Sequence, residues 1–165
     1  MSHLFSTAGS KIYIGAAKAS TGDDMVATDF TTGSPVWTEI KGTTDLGTIG
    51  DTAELITSNQ IGVARTRKLK GTRNAGSVQL VADFDSADPG QLALYAAERT
   101  KHTYAFKMVL ADGPAGGTPS ERYFVALVMS AAEAYSEANS VMKLNATLEV
   151  DSNIVRVDAE EAGGP

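Results

Sequence analysis

The 165-residue chain contains no cysteine. That absence excludes a disulfide framework, a zinc ribbon, a thiol nucleophile and an iron–sulfur site. Positive charge is also scarce: 14 Lys and Arg stand against 20 Asp and Glu, for a net charge of −6 at pH 7. A protein that works by gripping nucleic-acid phosphates needs clustered Lys and Arg, and the overall balance runs the other way. Long hydrophobic runs are missing too. The longest nearly uninterrupted one is Tyr123 to Met129, seven residues, where a membrane helix needs about 20. Met1 to Ser6 has no basic region followed by an apolar run, so it does not read as a secretory signal peptide. Nor does a basic amphipathic helix suggest membrane anchoring. What is present is 42% hydrophobic residues, too many for a disordered chain and enough for one core. A single domain spanning 1–165 is expected from the length.

Short alternating or apolar runs, punctuated by Gly, Asp, Thr and Pro, predict a mainly β fold. Lys11 to Gly15 reads as a first strand. Ala19 to Pro35, thin in large apolar residues, reads as an exposed loop or flexible insertion. Val36 to Lys41 alternates, and Asp45 to Gly50 is expected to continue the sheet after a turn at Gly42. Asp51 to Gly62 shows no sustained period yet contains Leu55, Ile56 and Ile61, and reads as a long loop of the kind often reserved for function. Val63 to Lys70 reads as a strand and Gly71 to Gly76 as a turn. Ser77 to Phe84 places Val78, Leu80, Ala82 and Phe84 on one face. A helix is expected over about 89–99, with Asp88 as N-cap and Pro89 at the first helical position. Its apolar stripe would be Leu92, Tyr95, Ala96 and Arg99. Strands then return at Thr103 to Ala111, at Arg122 to Ser130 (apolar on both faces, hence central), at Ser140 to Asp151, and briefly at Ile154 to Val157. Asp158 to Pro165 has too little apolar content to fold alone. About eight strands and one flanking helix make an antiparallel β-sandwich or barrel.

Residues that could carry chemistry are few. His3 lies in an N-terminal arm, and His102 follows the predicted helix, where an imidazolium favours the C-terminal dipole. With no Cys and no Gly-x-Ser-x-Gly elbow, nucleophilic triads lack their local signatures. Asp83, Asp85 and Asp88 superficially suggest a cation loop, but the third acid falls at position 6 and Leu94 occupies position 12, where an EF-hand needs Glu. Turn and cap duty explains these aspartates better. Gly113 to Gly117 lacks the Gly-Lys-Ser/Thr of a phosphate loop. No catalytic residue, metal ligand or cofactor is expected, and the chain does not read as an enzyme.

One local departure breaks the acidic background. Arg65, Arg67, Lys68, Lys70 and Arg73 put five positive charges in nine residues. No aromatic residue interleaves them as a base-stacking platform would require. The C-terminal stretch Glu149 to Glu161 is acidic, so opposite charges on one small domain suit contact between copies of the same protein. Each run, taken alone, also suits a solvated face.

The order of elements carries a resemblance. An early short strand and a Trp37-containing strand lead to Gly42-Thr43-Thr44-Asp45-Leu46-Gly47-Thr48-Ile49-Gly50. A long loop, an Arg/Lys strand, Gly76-Ser77-Val78-Gln79-Leu80 and the Asp88-Pro89-Gly90-Gln91-Leu92 helix start follow. Tyr104-Ala105-Phe106, the core strand Tyr123 to Met129 and a closing Thr147-Leu148-Glu149-Val150-Asp151 complete it. This succession resembles the major tail (tail tube) proteins of long non-contractile-tailed bacteriophages and of phage-derived gene transfer agents, over nearly the whole chain. The resemblance implies a β-sandwich with one helix that self-assembles into homohexameric rings, stacked into a tube that conducts DNA from the capsid without binding it specifically. Partners would be further copies of the chain, a tape-measure protein and tail-tip or terminator proteins. The location would be the virion tail, assembled in the host cytoplasm. By position, about 51–62 would be an assembly loop anchored by Leu55, Ile56 and Ile61, and about 1–9 and 158–165 would be flexible arms. Arg65, Arg67 and Lys68 would then face subunit contacts, because a basic strand is an awkward wall for DNA to slide past. A second reading is a β-sandwich binding module, carbohydrate-binding or capsid-decorating, that uses Trp37 as a stacking surface.

Overall fold

The computed structural model describes residues 3–163. Among them are ten strands and two helices: β1 (Lys11–Ala17), α1 (Thr28–Thr31), β2 (Thr38–Glu39), β3 (Thr43–Asp45), β4 (Thr52–Ser58), β5 (Arg67–Asn74), β6 (Ser77–Asp83), α2 (Pro89–Glu98), β7 (Tyr104–Val109), β8 (Glu121–Ala134), β9 (Lys143–Val150) and β10 (Val155–Val157). The fold is mainly β and antiparallel throughout, with the helix expected near 89–99 in place. Eight strands form one sheet in the order β2-β1-β7-β8-β9-β6-β3, with β10 paired to β8, and β4 and β5 form a separate two-stranded sheet.

The sheet's two ends are close neighbours in sequence. Only Ile40, Lys41 and Gly42 separate β2 from β3, and so short a connection spans roughly 10–14 Å. The sheet must therefore curl until its edges approach, although they do not pair and no closed barrel forms. The start of α2 fills that seam. A Cβ on Gly90 would lie 2.2 Å from the Glu39 carbonyl oxygen, so only glycine permits the approach. Fully buried Gln91 pins the seam: its side-chain amide donates to the carbonyls of Lys41 and Asp83 and accepts from the Asp85 N–H. Asp88 caps α2, its Oδ2 accepting from the N–H groups of Gln91 and Lys41.

Alternation along the strands builds the interior. Ile12, Ile14, Val78, Leu80, Phe106, Met108, Phe124, Val128, Leu144 and Leu148 fill the concave side together with Leu94 and Ala97 of α2. Phe106 and Phe124 stack at its centre, ring centroids 5.5 Å apart. On the convex side, Ala105, Tyr123, Val125 and Val155 make a second cluster with Met25 and Phe30. The first half of β8 is thus covered on both faces, which its continuous apolar run requires. At Met129 the β8–β9 register slips: Val128 opposes Leu148 and Ser130 opposes Thr147, leaving Met129 without a partner and exposed.

Several local expectations are corrected. The stretch 19–35 is not a free loop: it folds over β8, burying Met25 and Phe30, and the Asn153 side chain bonds both the N–H and the C=O of Met25. Two buried apolar residues among seventeen left no period to read. Asp51 to Gly62 is not a loop over its length, because Thr52–Ser58 pairs with Arg67–Asn74. The strand after it runs through Gly71 to Asn74, so the expected turn shrinks to its last two residues. Asp45 ends β3 rather than continuing the sheet, since its Oδ1 accepts from the Gly47 N–H and Gly47 takes a left-handed φ of +72°. The buried face of α2 is Gly90, Gln91, Leu94 and Ala97, not the predicted Leu92 stripe. The C-terminal arm is held at its start: Thr118 and Glu160 exchange backbone hydrogen bonds and the Ala159 N–H donates to Ser120 Oγ. The ends of both predicted arms lie outside the described residues.

Candidate assembly interface

β4 and β5 form a hairpin that leaves the curled sheet between β3 and β6. Its sequence suits an arm. Thr and Ile favour extended backbone, while Lys68, Lys70 and Glu54 keep it wet. Its root is fixed by ion pairs from Arg73 to Asp51 at 3.1 Å and to Asp24 at 4.0 Å. At the tip, Thr66 Oγ1 donates to Asn59 Oδ1 at 2.8 Å. Between root and tip no other part of the described residues covers either face of the hairpin. An isolated two-stranded hairpin is at best marginally stable in water, so this element needs a surface to lie on.

Register divides its side chains. Ile56 opposes Leu69 and Ser58 opposes Arg67, so these four share one face, while Leu55, Thr57, Lys68 and Lys70 share the other. The structure thus gathers five of the residues singled out in the sequence, Leu55, Ile56, Arg65, Arg67 and Lys68, on one projecting element, with Ile61 fully exposed near its tip. Leu69, 67% exposed, was missed, and the signal for it was present. It sits in the middle of the basic run, where a solvated strand has no use for leucine. Asp88, the remaining residue singled out, lies far from this arm in function. It serves α2, and its Oδ1 is buried without a partner among the described residues.

A second exposed surface lies where α2 meets the β8–β9 tip. Leu92 is 51% exposed, Tyr135 58% and Met142 47%. Glu133 bridges the helix and the tip: the Tyr95 hydroxyl donates to one carboxylate oxygen at 2.6 Å and the Tyr135 hydroxyl donates to the other. Those bonds, Tyr135 first, hold the Glu133 carboxyl below the usual carboxylate range. Desolvation, then the same carboxylate, pushes the Tyr95 phenol well above its ordinary value.

The convex side of β6, β9 and the far half of β8 is a third open surface. Ser77, Gln79, Asn145, Thr147 and Glu149 line it, and the one lysine there, Lys143, is paired with Asp83 at 2.5 Å.

The remaining candidates are accounted for locally. Asp85 Oδ1 accepts from the Ala87 N–H in the turn before α2. Among the described residues no group of three or more His, Asp and Glu is placed to hold a metal ion, and no helix is long and apolar enough to cross a membrane. Trp37 is half-buried: Gly15 underlies its ring, Lys107 Nζ sits 5.2 Å from its centroid, and Tyr123 packs at 6.0 Å. His3 and His102 are exposed.

No family model and no curated protein matches the sequence. Solved structures do match the fold. A chain of the anti-feeding prophage baseplate aligns with TM-score 0.67 at 14% identity, over 96% of this chain and 98% of that one. A chain from an extracellular contractile injection system, the PVC sheath/tube terminator in its extended state, aligns with TM-score 0.67 at 12% identity, over 94% and 98%. The SPP1 tail tube aligns with TM-score 0.57 at 14% identity, over 93% and 78%. The chain shares the fold of phage tail-tube and injection-system tube, baseplate and terminator components.

Proposed function

We propose that this protein is a structural subunit that assembles with copies of itself into hexameric rings stacked as a phage tail tube. The observation that carries the reading is the β4–β5 hairpin: basic, studded with exposed Leu and Ile, and uncovered on both faces while fixed at its root. An element of that kind gains stability only against another surface, and a repeating assembly supplies one. The likeness of fold to tube components supports the same reading, as does the resemblance in element order.

In the assembled tube, the polar face of β6, β9 and β8 lines the lumen. Its net charge is slightly negative, with Glu149 unopposed, so phosphates meet no cation to hold them and DNA slides. A tape-measure protein would occupy the lumen before DNA does, and tip and terminator proteins would close the ends in the virion tail. The chain works without catalysis or cofactor. The alternative of a binding module using Trp37 finds less support, because that ring is committed to Gly15, Lys107 and Tyr123.

Negative-stain microscopy of the concentrated protein tests the proposal. Rings or tubes are expected from the full chain, and only monomers from a variant whose residues 53–73 are replaced by a short Gly/Ser linker. Monomers from the full chain at every concentration, or unchanged assembly after the replacement, would overturn it.

A further inference from the structure

Of the helix stripe that the sequence marks for burial, only Tyr95 packs partly against the core, while Leu92, Ala96 and Arg99 stay exposed. Leu92, Tyr95, Ala96 and Arg99 recur at the spacing of one helical face, yet the core takes Gln91, Leu94 and Ala97 instead. The unused stripe is continuous with the β8–β9 tip, because the Glu133 carboxylate accepts hydrogen bonds from Tyr95 on α2 and from Tyr135 on the tip. These contacts hold two aromatic side chains and a charged carboxylate in fixed positions on an outer surface. Nothing among the described residues lies over them. The tip is acidic: residues 129–142 contain Glu133 and Glu137 and no Lys or Arg.

The same chain carries a second uncovered element of opposite charge. Residues 52–74 contain five Lys and Arg against one acid, and one hairpin face combines the apolar pair Ile56–Leu69 with Arg67. The two surfaces match in kind. Each offers exposed aliphatic or aromatic area beside charge, basic on the hairpin and, apart from Arg99 at the far end of the helix stripe, acidic on the ledge, and neither is covered among the described residues. A basic apolar strand pair laid on an acidic apolar ledge removes both exposures at once, with steering from the charges.

Resting on the tube reading above, we infer that the β4–β5 hairpin of one copy docks, through Ile56, Leu69 and Arg67, on the α2 and β8–β9 surface of a second copy at Leu92, Tyr135 and Glu133. The contact is heterologous, hairpin to ledge. It therefore propagates from copy to copy instead of closing a twofold dimer. Rings or stacks can grow from it.

The native absence of cysteine makes the test clean, since any disulfide joins only introduced thiols. One preparation carries Leu69→Cys and another Leu92→Cys, both at exposed positions whose change leaves the core intact. The two are mixed under conditions where the wild-type chain assembles, then oxidised and run on a non-reducing gel. A cross-linked pair requiring both variants is expected, with none when Leu69→Cys is mixed with Val36→Cys, an exposed position elsewhere. In parallel, Arg67→Glu should weaken assembly at least tenfold, and combining it with Glu133→Arg should restore most of the loss. If the wild-type chain assembles but these pairs neither cross-link nor rescue, the docking inference fails and the tube reading stands. Cross-linking of Leu92→Cys chains with one another alone would assign the ledge to a like-with-like contact and overturn the inference as well. If the wild-type chain never assembles, both fall together.

Discussion

Gly90 shows how a single atom decides packing in this fold. In a helix, Gly→Ala ordinarily gains about 1 kcal/mol of propensity. Here the added Cβ would meet the Glu39 carbonyl oxygen at 2.2 Å, with the Ile40 Cα at 2.6 Å. Backbone cannot step aside as a flexible side chain can, and overpacking typically costs 1–3 kcal/mol. Gly90→Ala is therefore expected to destabilise by up to about 2 kcal/mol net, read as a lower denaturant midpoint at unchanged slope. A second residue-scale effect is a matter of pH. Asp112 Oδ1 accepts the Ser120 N–H at 2.8 Å, and bonds from Ser120 hold this carboxyl below its ordinary range. A carboxyl held low contributes stability that is complete above its unfolded value, near 4, and lost as pH falls through the folded value. The gap in melting temperature between wild type and Asp112→Asn should thus be constant at neutral pH and close on acidification. Equal gaps at both ends would show that the bond matters but the charge does not. At this scale the sequence was partly legible. Asp88 before Pro89 marks the helix start from chemistry alone, whereas Gln91 and Gly90 look like ordinary surface residues until the Lys41 and Asp83 carbonyls are seen beside them. Their roles depend on chain segments about fifty and eight residues away, and no local pattern carries that information.

Elements were legible where one face is buried and the other wet. β6 alternates cleanly, so its inward residues Val78, Leu80 and Ala82 followed from period two, and the unbroken apolar run of β8 marked it as central. The failures have one physical cause: elements whose partner is distant or absent have no reason to alternate. β4 and β5 are exposed on both faces, so Thr52–Ser58 shows no hydrophobic period and reads as loop. The segment 19–35 is the opposite case, in which a mostly polar stretch is ordered by two apolar anchors and one amide. Asn153 donates to the Met25 carbonyl at 3.0 Å and accepts from its N–H at 2.7 Å, so Asn153→Ala strips both groups of their partner. The cost should be roughly 2–3 kcal/mol. It should also be local, appearing as faster backbone hydrogen exchange and protease cleavage between residues 19 and 35 while β6 and β9 stay protected. Uniform loss of protection across the sheet would mean that this cover is part of the main cooperative unit.

On the scale of the whole molecule, the net charge of −6 conceals a division. Residues 52–74 hold five positive residues and one acid, so the rest of the chain, with nine positive and nineteen acidic residues, stands at −10. The excess of acid that argued against a nucleic-acid grip thus lies in the body, while five of the fourteen basic residues cluster on an arm suited to protein contact. This separation tests which surface faces DNA. If the polar face of β6 and β9 lines a lumen, its lack of unpaired cations is what keeps passing phosphates unbound. Replacing Gln79 and Asn145, both exposed on that face, with Lys would then leave assembly intact and add two cations per copy to the wall. Wild-type tubes should sediment free of short duplex DNA at about 150 mM salt, while Gln79→Lys/Asn145→Lys tubes should carry it down. That retention should weaken steeply with salt, the logarithm of affinity falling by about 0.9 per neutralised phosphate for each tenfold rise. The hairpin supplies the control, because Lys68→Gln/Lys70→Gln alters charge off that face and should not create DNA retention. Loss of assembly in the Gln79→Lys/Asn145→Lys variant would show instead that the face is packed between subunits, and retention by wild-type tubes would show that the acidic body does not shield the lumen.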